Sequence, residues 1–397
     1  MSAEACDRVL GVLRRMYAQP VEVRPVLGRR LGGYRRMLLE LTEQQYGHLR
    51  RMRLNRRVLV DGPAGSGKTV LAVYKAEELC REGLSVWLVC YNQLLAEHLR
   101  AEMSYRVGPV GEGRLYVGTF HGLVGMLSRK CGLPPIGGEV DVRDGAYAVR
   151  IRELAALLAG SVDALIVDEA QNFEAEWLEQ LILFPGPSGV CYVFQDESQR
   201  VYRTDPFAGE MFSRCTLDRI VRCARPVSEL VAALYDGPAL AEPNDVPGPG
   251  PEFVEEARVS EDPGVLEKVL ADLVRSRHVV PGSIAVLTPR TVKGGSRLAP
   301  GMRIGEWELV DRGQKPDDRS RILLSTIHRF QGLERDVVVL AELELLENPQ
   351  ERRRLLYLGA SRARVLLVAL GAPAHWFGRT GLQSRAGLET HWDAGSA

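Results

Sequence analysis

The chain lacks any apolar run close to the ~20 residues of a membrane-spanning helix, and it has no C-x-x-C pair and no internal repeat. A membrane span, a cysteine-based zinc site, a disulfide framework and a repeat solenoid are therefore not indicated. We also find no signal peptide, and we expect a soluble, cytoplasmic protein. The seven cysteines are interpreted as reduced thiols, at positions 6, 80, 90, 131, 191, 215 and 223.

Lysine is scarce: the chain has six lysines and 45 arginines, and its formal net charge is zero. None of the six lysines has an acidic residue two positions before it, so the (D/E)-x-K ending of many metal-dependent nucleases is absent. Residues 1–57 contain thirteen arginines and only five acidic residues. The run RRMRLNRR at 50–57 either attracts nucleic acid or forms a solvated helix face, and the second meaning is the commoner one for such runs.

With 397 residues, the chain is long enough for about two to three domains. Short apolar runs alternate with helical patterns, which is typical of an α/β fold with parallel strands buried on both faces. We predict strands at 57–61, 85–90, 114–119, 164–168 and 191–194, and again at 283–288, 321–326, 336–343 and 364–370. The Pro- and Gly-rich stretch 237–253 is predicted to be a surface loop. The predicted domains are a basic helical segment at 1–40, α/β domains at 41–214 and 215–372, and a C-terminal tail at 373–397.

The most informative segment matches G-x-x-x-x-G-K-[ST] between an apolar strand and a helical pattern, and it consists of Gly62, Pro63, Ala64, Gly65, Ser66, Gly67, Lys68 and Thr69. Its glycines let backbone N–H groups surround an anion, and the helix N-terminus adds the positive end of its dipole. We expect Lys68 to reach the β- and γ-phosphates and Thr69 to bind Mg²⁺. The segment therefore predicts a site for a nucleoside triphosphate with magnesium.

A second cluster of polar residues follows the strand at 164–168, in the sequence ALIVDEAQ. We assign Asp168 to Mg²⁺ and Glu169 to catalysis, as the carboxylate that orients the attacking water. In the alternative interpretation, the two acids only cap the next helix. After the strand at 191–194, Gln199 is expected to contact the γ-phosphate and Tyr202 to face a ligand beyond it.

Taken in order, these and further motifs resemble superfamily 1 DNA/RNA helicases of the UvrD/Rep-like group. LTEQQ (41–45) resembles the Q motif, CYNQLLAEHL (90–99) motif Ia and GTFH (118–121) motif Ib. DEAQ and QDESQ (195–199) resemble motifs II and III. In the second half, IVRCARP (220–226), STIHRFQGLE (325–334) and YLGASRAR (357–364) resemble motifs IV, V and VI. The resemblance covers nearly the whole length of the chain.

The resemblance implies two RecA-like P-loop domains with parallel sheets and an ATP cleft between them. By the same resemblance, Gln45 reads adenine and Glu334 lies near the ribose. Arg222 and Arg362 stabilise the charge on the transferred phosphoryl group. Closure of the cleft would move a bound strand, which makes the chain an ATP-dependent translocase or helicase on single-stranded nucleic acid, with DNA favoured over RNA.

Contacts with a single strand are expected from aromatic rings that stack on bases and from small polar groups that hold phosphates. The candidates are Tyr91, Asn92, Thr119, Phe120, His121, Tyr202, Thr326 and His328. Competing interpretations remain open for each of them. Phe120 also fits a core position, and a single histidine on such a turn is more often a hydrogen-bonding brace than a ligand contact.

The chain departs from the family pattern in several places. Val221 replaces a tyrosine that stacks on adenine in many relatives, and Gln331 replaces the motif V lysine. Only 46 residues separate His121 from Asp168, and 35 separate Arg290 from Thr326, where larger relatives insert whole domains. These spacings indicate a bare motor core that works with a nuclease or another protein as partner. A second hypothesis is a nucleotide-gated switch that controls a partner protein, for example in phage defence. A third, a degenerate nucleotide-binding module, is disfavoured by the intact motif residues.

Overall fold

The computed structural model describes residues 27–51, 54–110, 113–136, 145–196, 212–235, 241–254, 258–312, 314–315 and 318–371, without the side chains of 42–46 and 48–51. These residues divide into two compact units. The first unit contains residues 41–219 and 241, and the second contains 27–40, 220–235 and 242–371. Among the described helices, none combines the length and the apolar character needed to cross a membrane.

The first unit is built on a six-stranded, fully parallel sheet with the order β3-β2-β4-β5-β1-β6. Its strands are β1 (Arg57–Asp61), β2 (Val86–Cys90), β3 (Leu115–Thr119), β4 (Ala164–Val167), β5 (Val190–Gln195) and β6 (Ser213–Thr216). The five strands predicted in this half are all present. The sixth, β6, was not predicted because its residues SRCT alternate in exposure and form no apolar run.

Helices connect β1 to β5 of the first unit in chain order, as parallel pairing requires. They are α2 (Lys68–Arg81), α3 (Gln93–Val107), α4 (Phe120–Lys130), α5 (Ala146–Leu158) and α6 (Ala175–Leu181), and they follow α1 (Leu27–Arg51) in the chain. The inner faces of α4, α5 and α6 pack with the sheet into one apolar cluster. That cluster fixes the ends of β3 and β4, where the predicted site residues lie.

The described part of the second unit has a seven-stranded sheet with the order β7-β13-β12-β8-β11-β10-β9, in which β9 and β10 pair antiparallel and the other described pairs are parallel. The strands are β7 (Glu252–Val254), β8 (Ile284–Thr288), β9 (Arg303–Ile304), β10 (Trp307–Val310), β11 (Arg321–Thr326), β12 (Arg335–Leu340) and β13 (Ala363–Leu370). The helices are α7 (Arg225–Leu234), α8 (Gly264–Ala271) and α9 (Pro349–Ala360). The predicted α/β class with parallel sheets is therefore confirmed.

Several details of the second unit differ from the sequence prediction, which does not include strands β9 and β10. Strand β12 ends at Leu340 rather than at residue 343, because Glu342 takes a left-handed backbone conformation with φ 58°. The stretch 237–253 is not simply a surface loop, since residues 252–254 form strand β7. In the same stretch, Asn244 is buried and its amide donates hydrogen bonds to the carbonyl oxygens of Ile220 and Cys223.

The first part of helix α1 belongs to the second unit and packs there through one apolar face. This face consists of Leu27, Leu31, Tyr34 and Leu38, which are all buried. The spacing of these residues is that of one helix face. At Gly28 the helix comes so close that a Cβ atom would lie 1.9 Å from a backbone oxygen, and the Gly28 amide donates to a neighbouring carbonyl at 3.0 Å. In the sequence this segment is recognised by its basic charge. In the structure its apolar face makes the packing contacts.

Candidate functional site

The loop between β1 and α2 has the geometry of a phosphate-binding loop. Gly65 and Gly67 have φ angles of 83° and 90°, which L side chains rarely adopt. A Cβ atom on Gly62 would lie 2.7 Å from the carbonyl oxygen of Leu217. All eight predicted loop residues, from Gly62 to Thr69, are buried. Glycine is therefore required at these three positions by the backbone itself.

Lys68 lies at the start of α2, and its Nζ donates hydrogen bonds to the carbonyl oxygens of Gly62 (2.7 Å) and Pro63 (2.9 Å). The ammonium group is thus held at the mouth of the loop by neutral acceptors rather than by a carboxylate. The Ser66 hydroxyl is buried and has no hydrogen-bond partner among the described residues. A buried donor without a partner and a nearby ammonium group suit an anionic ligand.

Asp168 follows β4 directly and is fully buried. One carboxylate oxygen, Oδ1, accepts a hydrogen bond from the Glu169 amide at 3.0 Å. Burial and the neighbouring Glu169 carboxylate raise the pKa of Asp168 to about 7, although the Thr69 hydroxyl and Lys68 favour its charged form. A divalent cation at this carboxylate would favour the charged form further.

The donors near Asp168 fit Mg²⁺. The Oδ2 atom of Asp168 is buried without a hydrogen-bond partner among the described residues, and the Thr69 hydroxyl lies beside the same carboxylate. Mg²⁺ prefers such oxygen ligands and usually takes only one or two from the protein, with phosphates and water as the others. The absence of any group of three or more His, Cys, Asp or Glu ligands in the described part of the chain is compatible with that arrangement.

Glu169 has a strained backbone, with φ 55°, and its side chain is almost fully buried. Non-glycine residues in this region cost about 1–3 kcal/mol and are often functional. The Gln171 side chain donates to a Glu169 carboxylate oxygen, and its own oxygen accepts from the Asp196 amide at 3.0 Å. Gln171 therefore holds Glu169 against the end of β5. Sequence reasoning missed this role, although the glutamine is part of the DEAQ motif.

Three predicted site residues, two for the nucleotide and one for nucleic acid, lie wholly or partly outside the described part of the chain. Gln199 and Tyr202 lie outside the described residues. Gln45 lies on α1, and its side chain is also outside the described part. At the described end of β5, the amide of Gln195 lies 3.5 Å from a carboxylate oxygen of Asp61 at the end of β1. The roles assigned to Gln45, Gln199 and Tyr202 remain predictions.

The described nucleic-acid candidates of the first unit, which follow β2 and β3, lie close together because these strands are neighbours, with Cys90 paired to Thr119 in the sheet. Two of these candidates are helix caps. The Asn92 side-chain oxygen accepts from the amides of Leu94 (2.9 Å) and Leu95 (3.4 Å), and the Thr119 hydroxyl accepts from Gly122 at 3.1 Å. Capping explains why these residue types occur at these positions without any ligand.

The structure does not support the base-stacking role predicted for Phe120. Its ring is fully buried and stacks on Trp177, with 4.5 Å between the ring centroids and 13° between the planes. His121 and Tyr91 are partly buried beside it, with 5.6 Å between their ring centroids. The Nε2 atom of His121 is buried without a partner in the described part, and burial lowers the pKa of this histidine. The neutral form of His121 is therefore favoured near pH 7.

The two candidates in the second unit differ in exposure. The Thr326 hydroxyl, at the end of β11, accepts a hydrogen bond from the Arg329 amide at 3.2 Å and so caps a turn. His328 lies in that turn and is exposed. Of these two side chains, His328 is the one placed to contact a ligand from solvent.

Arg222 and Glu334 form an ion pair within the second unit, with 2.6 Å between the Arg222 Nε and the Glu334 Oε2. Both side chains are largely buried, although Glu334 was predicted to contact a ribose. The backbone before and after Arg222 is held by Asn244, whose amide donates to Ile220 and Cys223 at 2.8 and 2.5 Å. Sequence reasoning missed Asn244 because it lies in the predicted loop.

Arg362 lies between α9 and β13 and is 2% exposed. Its Nε donates to the carbonyl oxygen of Leu358 at 3.1 Å, and a terminal nitrogen donates to the Ser361 hydroxyl at 2.8 Å. These two bonds anchor the buried guanidinium between α9 and β13.

Two family models match parts of the chain. Residues 51–195 match an AAA domain, and residues 321–370 match the UvrD-like helicase C-terminal domain. The first match contains the phosphate-binding loop and Asp168, and the second contains Glu334 and Arg362. A comparison with curated proteins found no match.

Similar solved structures include two viral helicases. The PRRSV helicase has 14% identity and a TM-score of 0.40, with 84% of this chain and 55% of that chain covered. Arterivirus nonstructural protein 10, a helicase solved as a complex with DNA, has 17% identity and a TM-score of 0.40, with 79% and 60% covered. The chain thus spans 55–60% of the length of these proteins. The two family matches agree with the resemblance carried by the ordered motifs: on an α/β fold, residues 51–195 are similar to an AAA domain and residues 321–370 to the C-terminal domain of UvrD-like helicases.

Proposed function

We propose that the protein is an ATP-dependent motor that translocates on single-stranded nucleic acid, DNA rather than RNA, and separates short duplexes. The observation that carries this proposal is the arrangement of Lys68, Asp168 and Glu169 at the carboxyl ends of β1 and β4. A phosphate loop, a buried carboxylate beside Thr69 and a strained, braced glutamate together form the apparatus for hydrolysis of a triphosphate.

In this proposal the loop backbone and Lys68 hold the phosphates of ATP. Thr69 and Asp168 hold Mg²⁺, which when bound neutralises charge on the phosphates. Glu169 orients the attacking water, and Gln171 keeps the carboxylate of Glu169 in place. Gln199 contacts the γ-phosphate, Gln45 reads adenine and Glu334 lies near the ribose, as the motifs predict.

We further propose that Arg222 and Arg362 of the second unit act on the same nucleotide. An arginine that stabilises the transferred phosphoryl group accelerates hydrolysis about 10³- to 10⁵-fold, or about 4–7 kcal/mol. Their anchoring supports this role, because both guanidinium groups are buried and oriented by the protein. In this proposal both units bind the same nucleotide, so its hydrolysis changes the position of one unit relative to the other. That movement shifts a bound single strand of nucleic acid.

The nucleic-acid part of the proposal is supported by the match to a UvrD-like helicase C-terminal domain and by the exposed His328 in motif V. In the first unit, it rests mainly on Tyr91 and His121, because Phe120 is buried and Asn92 and Thr119 cap helices. Preference for DNA follows from the resemblance alone.

The first test is ATP hydrolysis in the presence of magnesium, measured alone, with single-stranded DNA and with RNA of the same sequence. We expect stimulation by both and a greater effect of DNA. Glu169→Gln should bind nucleotide but lose turnover by orders of magnitude. Glu179→Gln, the same change at an exposed position on α6, is the matched control and should keep full turnover.

Other outcomes of these assays would contradict the role of Glu169 or favour the nucleotide-gated switch. Wild-type turnover in Glu169→Gln would remove this residue from the mechanism. Stimulation by a protein partner, with none by DNA or RNA, would favour the nucleotide-gated switch. Strand displacement on duplexes with 3′ or 5′ overhangs then tests translocation, and the resemblance predicts activity from the 3′ overhang.

A further inference from the structure

A chain of alternating charges runs through the second unit and ends at Arg222. In order, it consists of Arg35, Asp336, Arg364, Glu334 and Arg222. Arg35 lies on α1, Asp336 and Glu334 lie at or just before the start of β12, and Arg364 lies on β13. Arg222 lies just before α7. Four separate segments of the chain therefore contribute to one ion-pair network.

Glu334 connects the network to Arg222 through separate oxygens. Its Oε1 accepts from the Nε of Arg364 at 2.7 Å and from a terminal nitrogen of the same guanidinium. Its Oε2 lies 2.6 Å from the Nε of Arg222. The contact joins the inner nitrogen of the Arg222 guanidinium to the carboxylate of Glu334. Glu334 thus fixes the direction in which Arg222 presents its guanidinium.

Asp336 forms ion pairs with both Arg364 and Arg35. Its carboxylate is fully buried and accepts from the Nε of Arg35 at 2.9 and 3.0 Å, while a terminal nitrogen of Arg364 lies 3.6 Å away. The nearby Arg335 guanidinium donates to the Glu334 carbonyl oxygen, and burial, followed by the charge of Arg364, lowers the pKa of Arg335. A buried carboxylate needs positive partners, so Asp336 competes with Glu334 for Arg364.

Loss of Arg35 should therefore be transmitted along the network. Asp336 would lose the cation that bonds it at both oxygens, and Arg364 would be drawn toward Asp336. Glu334 would then be held by fewer bonds and would no longer fix the orientation of Arg222. Charges within one ion-pair network commonly depend on each other in this way, whereas distant charges act independently.

We propose that Arg35 is a positioning residue for ATP hydrolysis, which acts on Arg222 through Asp336, Arg364 and Glu334. The proposal rests on the function proposed above for Arg222. It assigns a role in the reaction to the basic N-terminal helix, whose charge would otherwise be explained by solvation or nucleic-acid attraction alone.

The test compares Arg35→Gln with Arg36→Gln, the same charge change at the next residue of α1, which is exposed. We expect kcat for ATP hydrolysis to fall about tenfold in Arg35→Gln, the scale of one coupled network contact. The KM for ATP should stay within about twofold, because the phosphate loop is untouched. Arg36→Gln should match the wild type, and Arg35→Lys should recover part of the lost kcat because it restores the charge.

A double-mutant cycle with Arg222→Gln separates positioning from helix docking. If Arg35 acts through Arg222, then Arg35→Gln should cause little further loss of kcat in the Arg222→Gln background. Equal losses in both backgrounds, or a fall in melting temperature with unchanged kcat, would overturn the proposal.

A crystal structure of Arg35→Gln gives a readout that does not depend on activity. We expect the Arg222 Nε to leave hydrogen-bonding distance of the Glu334 Oε2, and an unchanged pair would count against the proposal. Failure of the proposed function would look different, because the wild type and Arg36→Gln would then both lack ATP hydrolysis.

Discussion

The hydrogen bond from Gln171 to Glu169, here called the brace, can be tested by the substitution Gln171→Glu. Gln171 is buried and makes two hydrogen bonds, one as a donor and one as an acceptor. Its nitrogen donates to the Glu169 carboxylate, and its oxygen accepts from the Asp196 amide. Glutamate has nearly the same shape and can still accept from Asp196, but it replaces the donor with a second negative oxygen. The substitution therefore removes the brace while the packing is kept.

The size of the effect follows from the environment of the pair. A hydrogen bond to a charged group contributes about 1.5–3 kcal/mol, and its loss here leaves two buried carboxylates in contact. We expect Gln171→Glu to lower the free energy of unfolding by about 2–4 kcal/mol. Turnover should fall at least tenfold, since Glu169 would be displaced from its position for the attacking water.

Gln93→Glu is a matched control on α3. Its side-chain nitrogen donates to the Glu97 carboxylate at 3.1 Å, so the chemical change is identical, but this pair is exposed to solvent. Pairs of this kind on a helix surface contribute only about 0.2–0.5 kcal/mol. Urea unfolding followed by fluorescence, together with ATP turnover, should show a large effect for Gln171→Glu and almost none for Gln93→Glu. Equal stability and turnover in the two variants would refute the brace.

Three further substitutions test other parts of the first unit. Lys68→Ala should weaken ATP binding at least tenfold in a direct titration, because it removes the ammonium group at the loop; unchanged affinity would place the phosphates elsewhere. Gly62→Ala should destabilise the fold by about 1–3 kcal/mol through the contact with Leu217, whereas Gly125→Ala, which meets only the end of an arginine side chain, should be neutral or stabilising in thermal melts. Phe120→Leu should lower stability by about 1–3 kcal/mol without changing single-stranded DNA affinity, and a large loss of affinity in the folded variant would contradict its core position.

The parts of the fold and site that the sequence predicts are the local ones. The phosphate loop, the strands around it and the acids after β4 each depend on a short stretch of residues. Gly65 and Gly67 take positive φ angles that the motif requires, and Asp168 directly follows an apolar strand. Chain neighbours determine such features, so they can be inferred without knowledge of the tertiary contacts.

The parts that the sequence does not predict depend on distant contacts. Arg35 and Asp336 are separated by 301 positions, and nothing in either local pattern indicates that they meet. Strands β6, β7 and β9 are short and partly exposed, so they lack the apolar run by which buried strands are recognised. Their pairing is decided by the neighbouring strand rather than by their own residues.

The nucleic-acid candidates show a different limit, in which one residue type serves two purposes. Asparagine and threonine at a strand end suit a phosphate contact, but they are also the preferred N-caps of the helix that follows. Asn92 and Thr119 make those capping bonds. A sequence motif therefore identifies the position of such a residue, and only the structure shows which bonds it already makes.

The excess of arginine over lysine has a structural explanation in addition to any attraction for nucleic acid. At the end of the run RRMRLNRR, Arg57 donates to the carbonyl oxygens of Ile182 and Gly186 at 3.4 and 2.8 Å. Arg277 makes two parallel bonds to Glu252, at 2.6 and 3.0 Å. A lysine ammonium cannot reproduce these forked contacts. Part of the basic charge near the N-terminus is therefore used within the fold, and a search for nucleic-acid contacts should begin with other exposed arginines of α1, such as Arg29 and Arg30, rather than with the whole run.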